Sequence, residues 1–380
     1  MSFIIPQADP KAGYLAHGRE INAAMQAVLN SGRYILGKQV ELFEQEFAAS
    51  LGAAYAVGTA SGTEALELAL RVCGIGRGDA VLTVSHTAVA TVAAIELAGA
   101  VPILVDIDPA TFTMDPDCLQ EAVRFFKNKY RLKAIIPVHL YGHPADMGKL
   151  KNIADKNKLS IIEDCAQSHG AAFNGRNTGT WGRAAAFSFY PTKNLSALGD
   201  AGTLVTDDPA LARRARQIRE YGWQTRYISR VPGMNTRLDE LQAAVLRVKL
   251  RYLKRENASR CRIAKKYDAL LAGLAIKPPP VMPGAGHVFH QYVIRSSRRD
   301  RLKDFILRQG VAAAIHYPVP VHLQPAYRKR VLAGRLKNTE KACKEILSLP
   351  MHPYLTDKQV KYVGKVIADF GRFGARKRDV

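Results

Sequence analysis

Cysteine is scarce and shows no pattern. The five residues are Cys73, Cys118, Cys165, Cys261 and Cys343. Their number is odd, and no two stand in a Cys-x-x-Cys or other metal-ligand spacing. That argues against a disulfide scaffold and fits reduced thiols in a reducing compartment. Long apolar runs are also missing. The best membrane candidate, residues 87–107, contains Glu96, Gly99 and Pro102. It reads as a helix, a turn and a strand, not as a span. The first residues contain no basic segment followed by an apolar core, so no signal peptide is expected. These absences predict a soluble, cytoplasmic chain. Acidic residues are few: 33 Asp and Glu face 55 Lys and Arg, for a net charge of +22. Such a surface admits nucleic acid, anionic lipid or a phosphorylated substrate without choosing among them. What remains is ordinary: 47% hydrophobic and 23% charged, which excludes a disordered chain. At 380 residues the chain has room for two or three domains.

From about residue 53 to 207, short β-branched apolar runs alternate with amphipathic stretches. The strand-like runs are 55–57, 80–84, 102–105, 134–138, 160–163, 185–189 and 203–206. Helical spacing marks 63–72, 89–98, 119–126 and 145–157. This alternation predicts an α/β fold with a mostly parallel central sheet flanked by helices. Ligands of such sheets bind beyond the carboxyl ends of the strands. A long helix is expected over 239–271, then a stiff Lys-Pro-Pro-Pro link at 277–280, then a smaller α+β unit over 287–370. The division expected is 1–250 and 251–380. The basic end, 372–380, is expected to fray.

Four clusters follow strands. In Gly58-Thr59-Ala60-Ser61-Gly62-Thr63-Glu64 a strand gives way to a helix through small residues. Free N–H groups beside Ser and Thr hydroxyls form an anion site there, or simply an ordinary helix cap. In Ile161-Ile162-Glu163-Asp164-Cys165-Ala166-Gln167 two carboxylates close an apolar strand. Alternation sends one below the sheet and the other toward the ligand end. In Phe187-Ser188-Phe189-Tyr190-Pro191-Thr192-Lys193-Asn194 a lysine follows a buried strand and a Pro-fixed turn. Lysine is usually solvent-exposed. Among apolar groups its pKa falls and its amine becomes a nucleophile. The fourth, Gly233-Met234-Asn235-Thr236-Arg237-Leu238-Asp239, is a polar loop entering a helix.

Taken in order, these clusters resemble the DegT/DnrJ/EryC1/StrS family of sugar aminotransferases. The likeness runs from Arg33-Tyr34-Ile35-Leu36-Gly37 to Ser348-Leu349-Pro350 and includes Val105-Asp106-Ile107-Asp108-Pro109, Tyr141-Gly142 and His316-Tyr317-Pro318. It implies an aspartate-aminotransferase-like fold (PLP fold type I) with a smaller C-terminal α+β domain, and pyridoxal 5′-phosphate as cofactor. By resemblance, Lys193 forms the Schiff base and shuttles the proton, and Asp164 pairs with the pyridine nitrogen. Gln167 bonds the ring's 3′ oxygen. Gly62, Thr63 and Ser188 hold the phosphate, and Asn235 reaches the phosphate of the neighbouring subunit, which implies a homodimer. The family's aromatic residue over the ring falls at Ala88, so His86 is the candidate stacking residue, or else a loop histidine bonded to backbone. Relatives often carry glycine where Ala201 stands, which matters only if that residue needs a positive φ.

The resemblance implies L-glutamate as amino donor and a nucleotide-linked keto-sugar as acceptor. Phe189-Tyr190-Pro191-Thr192-Lys193-Asn194 with Gly199-Asp200 looks like members aminating C3; His-Pro and Gly-Glu are commoner in C4 enzymes. A dTDP-3-keto-6-deoxyhexose, giving a 3-amino-3,6-dideoxy sugar, is therefore expected, with a UDP-linked 3-keto sugar or C4 amination as alternatives. Related sugar dehydratases replace the lysine, which Lys193 argues against. A nucleic-acid-binding or sensory regulator is the reading of another class and rests on the +22 charge. The basic residues fall on amphipathic helices, where a charged face is usually solvated, and no DNA-binding motif is present. Neither a nucleic acid nor a membrane partner is expected.

Overall fold

The structure is a computed structural model that describes residues 5–375. Three helices begin at an Asp-Pro pair: Pro10–Ser31, Pro116–Phe126 and Pro209–Ile218. Each Asp side chain accepts first-turn backbone N–H groups, and each Pro sits where no N–H is needed. Residues 376–380 of the basic end lie outside the described residues. The last helix is assigned as far as Ala375.

An eight-stranded sheet organises the molecule. Its spatial order is Tyr55–Thr59, Gly202–Thr206, Ala184–Ser188, Ser160–Asp164, Arg131–Ile135, Asp79–Val84, Val101–Val105, Leu332–Ala333. Pairing is parallel except around Gly202–Thr206, which runs against both neighbours. The expected strands are present. One is displaced: the run at 134–138 forms its ladder over Arg131–Ile135. The ladder starts on the exposed residues Arg131 and Lys133, which a hydrophobic pattern cannot mark. Residues 87–107 resolve into the helix Val89–Leu97 and the strand Val101–Val105. Among the described residues, no helix is long and apolar enough to cross a membrane. All five cysteines are free.

The long helix expected over 239–271 is two helices, Glu240–Leu250 and Leu253–Leu271. They separate at Arg251 and Tyr252. The first packs on Pro10–Ser31 and Lys38–Leu51. The second joins another core, with Tyr267, Tyr292, Ile306, Leu347 and Val363. There Tyr292–Arg295 pairs antiparallel with Ile346–Leu349. Two segments pack across this break: Ile5 lies in the core of the second helix, and Leu332–Ala333 completes the edge of the large sheet.

Candidate active site

The carboxyl ends of Tyr55–Thr59, Ser160–Asp164 and Ala184–Ser188 open onto one cleft of about 220 Å³. Ser61, Gly62, Thr63, Thr87, Ala88, Asp164, Gln167, Ser188, Tyr190, Lys193 and Asp200 are among its lining residues. At one end is the amino terminus of the helix Gly62–Val72. Ser61 caps it, accepting the Glu64 N–H at 3.2 Å and donating to the Glu64 carboxylate at 3.1 Å. This leaves the N–H groups of the first turn beside the cleft, a place for an anion. A Cβ on Gly62 would lie 2.5 Å from the Cβ of Ser188, so only glycine lets the helix approach this strand.

The two carboxylates behave as alternation requires. Glu163 is fully buried and accepts from the backbone N–H groups of Gly179, Trp181 and Gly182, with His139 Nε2 at 3.0 Å. It is a fastener of the loop beneath. Asp164 faces the cleft. The Thr91 hydroxyl donates to its Oδ2 at 2.8 Å and the Ala166 N–H to its Oδ1 at 3.1 Å. Thr91 escaped the sequence reading, because a threonine on a buried helix face carries no local signal. Thr91→Val should lower turnover about tenfold, since a hydrogen bond to a buried charge contributes ~1.5 kcal/mol. An unchanged rate constant in steady-state kinetics would contradict this.

Lys193 sits in a turn closed by its own N–H on the Tyr190 carbonyl at 2.8 Å. Burial lowers its pKa to about 8, with Asp164 opposing. The next residue is clamped: the Asn194 amide donates to Asn257 Oδ1 at 2.8 Å and the Val288 carbonyl at 3.2 Å. In cofactor-free protein the Lys193 amine should react with an acylating reagent with a midpoint near pH 8, not 10.5. Burial disfavours the ammonium, so the free amine appears earlier as pH rises. Peptide mass mapping across pH gives the midpoint.

Gln167 is gripped from both ends. Its Oε1 accepts the Tyr141 N–H at 2.7 Å and its Nε2 donates to the Tyr317 hydroxyl at 3.1 Å. One amide N–H remains for a ligand. Tyr317 lies 150 residues away in the chain.

His86 is not among the residues lining the cleft. It is fully buried, its Nε2 2.8 Å from the Tyr141 hydroxyl and its Nδ1 3.4 Å from Cys343 Sγ. Expected to stack over a ring, it is instead part of the packing behind Tyr141. Ala88 does line the cleft. Asn235 is exposed, bridged to Glu220, and does not line the cleft of its own chain. Ala201 is buried and is not among the positive-φ residues, so it needs no glycine. Asp106 caps the helix Lys337–Glu345, accepting the N–H groups of Asn338 and Thr339, both at 2.9 Å.

A helix terminus for a phosphate, a carboxylate facing the cleft and a lysine of lowered pKa form one set of groups. These groups fit pyridoxal 5′-phosphate. Comparison with known proteins agrees. The DegT/DnrJ/EryC1/StrS aminotransferase family matches residues 16–368. The dTDP-3-amino-3,4,6-trideoxy-alpha-D-glucose transaminase of Streptomyces venezuelae is 45% identical over 93% of each chain. The dTDP-3-amino-3,6-dideoxy-alpha-D-galactopyranose transaminase of Aneurinibacillus thermoaerophilus is 41% identical over 97% of this chain and 100% of its own. The crystal structure of S. venezuelae DesV in complex with a ketimine intermediate superposes with a TM-score of 0.93 at 44% identity, covering 97% and 98% of the two chains.

Proposed function

The chain belongs to the DegT/DnrJ/EryC1/StrS family of PLP-dependent aminotransferases, and within it we propose a nucleotide-sugar C3 aminotransferase. It moves the amino group of L-glutamate to a dTDP-3-keto-6-deoxyhexose, giving a dTDP-3-amino-3,6-dideoxyhexose. The observation that carries this is the convergence of Lys193, Asp164 and the Gly62 helix terminus on one cleft, in a chain related to dTDP-3-amino-sugar transaminases. The absence of disulfides supports placing the reaction in the cytoplasm.

Gly62, Thr63 and Ser188 would hold the phosphate through backbone N–H groups and hydroxyls. Asp164 would accept the pyridine N–H and Gln167 would donate to the ring's 3′ oxygen. Bound pyridoxal phosphate supplies an electron sink for the electron pair left when a C–H bond breaks. Lys193 Nζ would hold the cofactor covalently, and its free amine is the group placed to take and return a proton at the donor's Cα. A pKa near 8 lets the free amine act as base close to neutral pH. Thr91 keeps Asp164 oriented.

A panel of dTDP- and UDP-linked 3-keto and 4-keto sugars, each incubated with glutamate, tests the reading. Amination of the dTDP-3-keto sugar, identified by mass and NMR, is expected. Preference for a 4-keto sugar would overturn the regiochemistry.

The smallest active unit is a homodimer on this reading, because Asn235 serves the partner's phosphate. Its exposure, away from the cleft of its own chain, supports that role. Asn235→Ala should weaken cofactor retention, since cofactor bound across an interface stabilises association by mass action. Mixing Lys193→Ala chains with Asn235→Ala chains should give a dimer with both lesions in one site and the other site intact. A fully active monomer in light scattering at assay concentration would contradict this.

A further inference from the structure

Next to Gln167, but not among the residues lining the cleft, stands Tyr141. It is 3% exposed. Its φ is +61°, a left-handed conformation that residues bearing a Cβ seldom take. Such strain persists where the surrounding contacts fix it. Here every polar group of the residue is engaged. The backbone N–H donates to Gln167 Oε1 at 2.7 Å, and the carbonyl accepts the Gln291 N–H at 3.1 Å. The hydroxyl donates to the His316 carbonyl and has His86 Nε2 at 2.8 Å. Gln167 Nε2 in turn donates to the Tyr317 hydroxyl at 3.1 Å. Tyr317 adjoins His316, so the contacts close a ring: Tyr141 to Gln167, to Tyr317, to His316 and back to Tyr141.

The protons of this ring have one arrangement. A carbonyl only accepts, so the single hydroxyl proton of Tyr141 points to His316. The His86 nitrogen facing that hydroxyl must then be the donor, which places the imidazole proton on Nε2. Burial keeps this imidazole neutral, with its pKa lowered to about 4. Nδ1 is therefore bare and accepts from the Cys343 thiol across 3.4 Å. Burial keeps that thiol protonated. The same logic orients Gln167. Its oxygen takes the Tyr141 N–H, so its nitrogen faces Tyr317 and keeps a second N–H to give.

We propose that Tyr141 is a positioning residue for transamination. It acts through Gln167, aiming the remaining amide N–H of that residue at the cofactor ring. It also ties that aim to the segment His316–Tyr317 across the cleft wall. His86 and Cys343 fix the direction of its hydroxyl. This role rests on the aminotransferase reading and adds to it the residue that holds Gln167. Tyr141 itself touches neither cofactor nor substrate.

The test is a spectroscopic pH titration of the holoenzyme. An N–H on the ring's 3′ oxygen draws off charge that otherwise holds a proton on the Lys193 nitrogen. Loosening Gln167 should therefore raise the pH midpoint of the bound cofactor's visible band, by about one unit in Tyr141→Phe. Gln167→Ala should raise it too. Adding Tyr141→Phe to Gln167→Ala should then move it no further, because the tyrosine acts through the glutamine. An unmoved midpoint in folded Tyr141→Phe, or an equal shift in both backgrounds, overturns the role. A wild-type protein that takes up no pyridoxal phosphate overturns the aminotransferase reading, and this role with it. In cofactor-free protein, deuterium exchange over residues 312–320 should quicken about tenfold in Tyr141→Phe, the effect of one lost hydrogen bond. Unchanged exchange there also overturns the role. Wild-type protein supplies a measurement that does not depend on the variant folding. Nitrogen NMR of labelled histidines, with the His86 signal identified by its loss in His86→Gln, should show the imidazole proton on Nε2 alone. A proton on Nδ1 would turn the Tyr141 hydroxyl toward His86, release His316 and overturn the role.

Discussion

Lys193→Ala should abolish transamination and leave the fold intact. The loss expected is at least about 10⁴-fold, the upper range for one acid–base group, because the amine is also the point of covalent attachment. Stability should not suffer. The turn around Lys193 is closed by its backbone N–H on Tyr190, and alanine keeps that bond. Burial works against the ammonium, so truncation removes a disfavoured charge. The checks are a coupled transamination assay and a thermal melt by circular dichroism. Near-normal turnover in a folded variant would sink the mechanism.

The second large effect belongs to Asp164. Asp164→Asn should still bind cofactor, since Gly62, Thr63 and Ser188, which would hold the phosphate, are untouched, yet lose far more than tenfold in rate. A neutral amide cannot stabilise a protonated pyridine, so the electron sink weakens. The same change removes the negative charge that now opposes the fall of the Lys193 pKa. The pH profile of the residual activity should therefore move to lower pH. A rate within about tenfold of wild type, or ~1.4 kcal/mol in barrier, would show that this carboxylate is not the ring's partner.

Much of this architecture is local and therefore legible. The Asp-Pro helix starts, the Ser61–Glu64 capping box and the alternation of Glu163 and Asp164 each depend on a few adjacent residues. What escaped depends on distant partners. No Gly or Pro marks Arg251 and Tyr252, where the expected long helix breaks. The break comes from its two halves burying their apolar faces in different cores. His86 looked available because it follows a strand end. Tyr141 and Cys343, 55 and 257 residues away, enclose it. Tyr317 on Gln167 and Thr91 on Asp164 are likewise long-range pairs that no spacing announces.

The two-residue strand Leu332–Ala333 has a consequence for the order of synthesis. It covers Ile103 and Leu104 on the last long strand of the sheet. From Ile103 to its partner Leu332 the ribosome must add 332 − 103 = 229 residues. At about 5–20 residues per second that takes roughly 10–45 s. Throughout that interval a nascent sheet presents an uncovered edge rich in Val, Ile and Leu, the kind of edge that pairs with other chains. Chains stalled before residue 332 should therefore be the ones that holdase chaperones retain. Substituting proline at Leu332 should raise aggregation during expression more than it lowers the melting temperature of protein already folded.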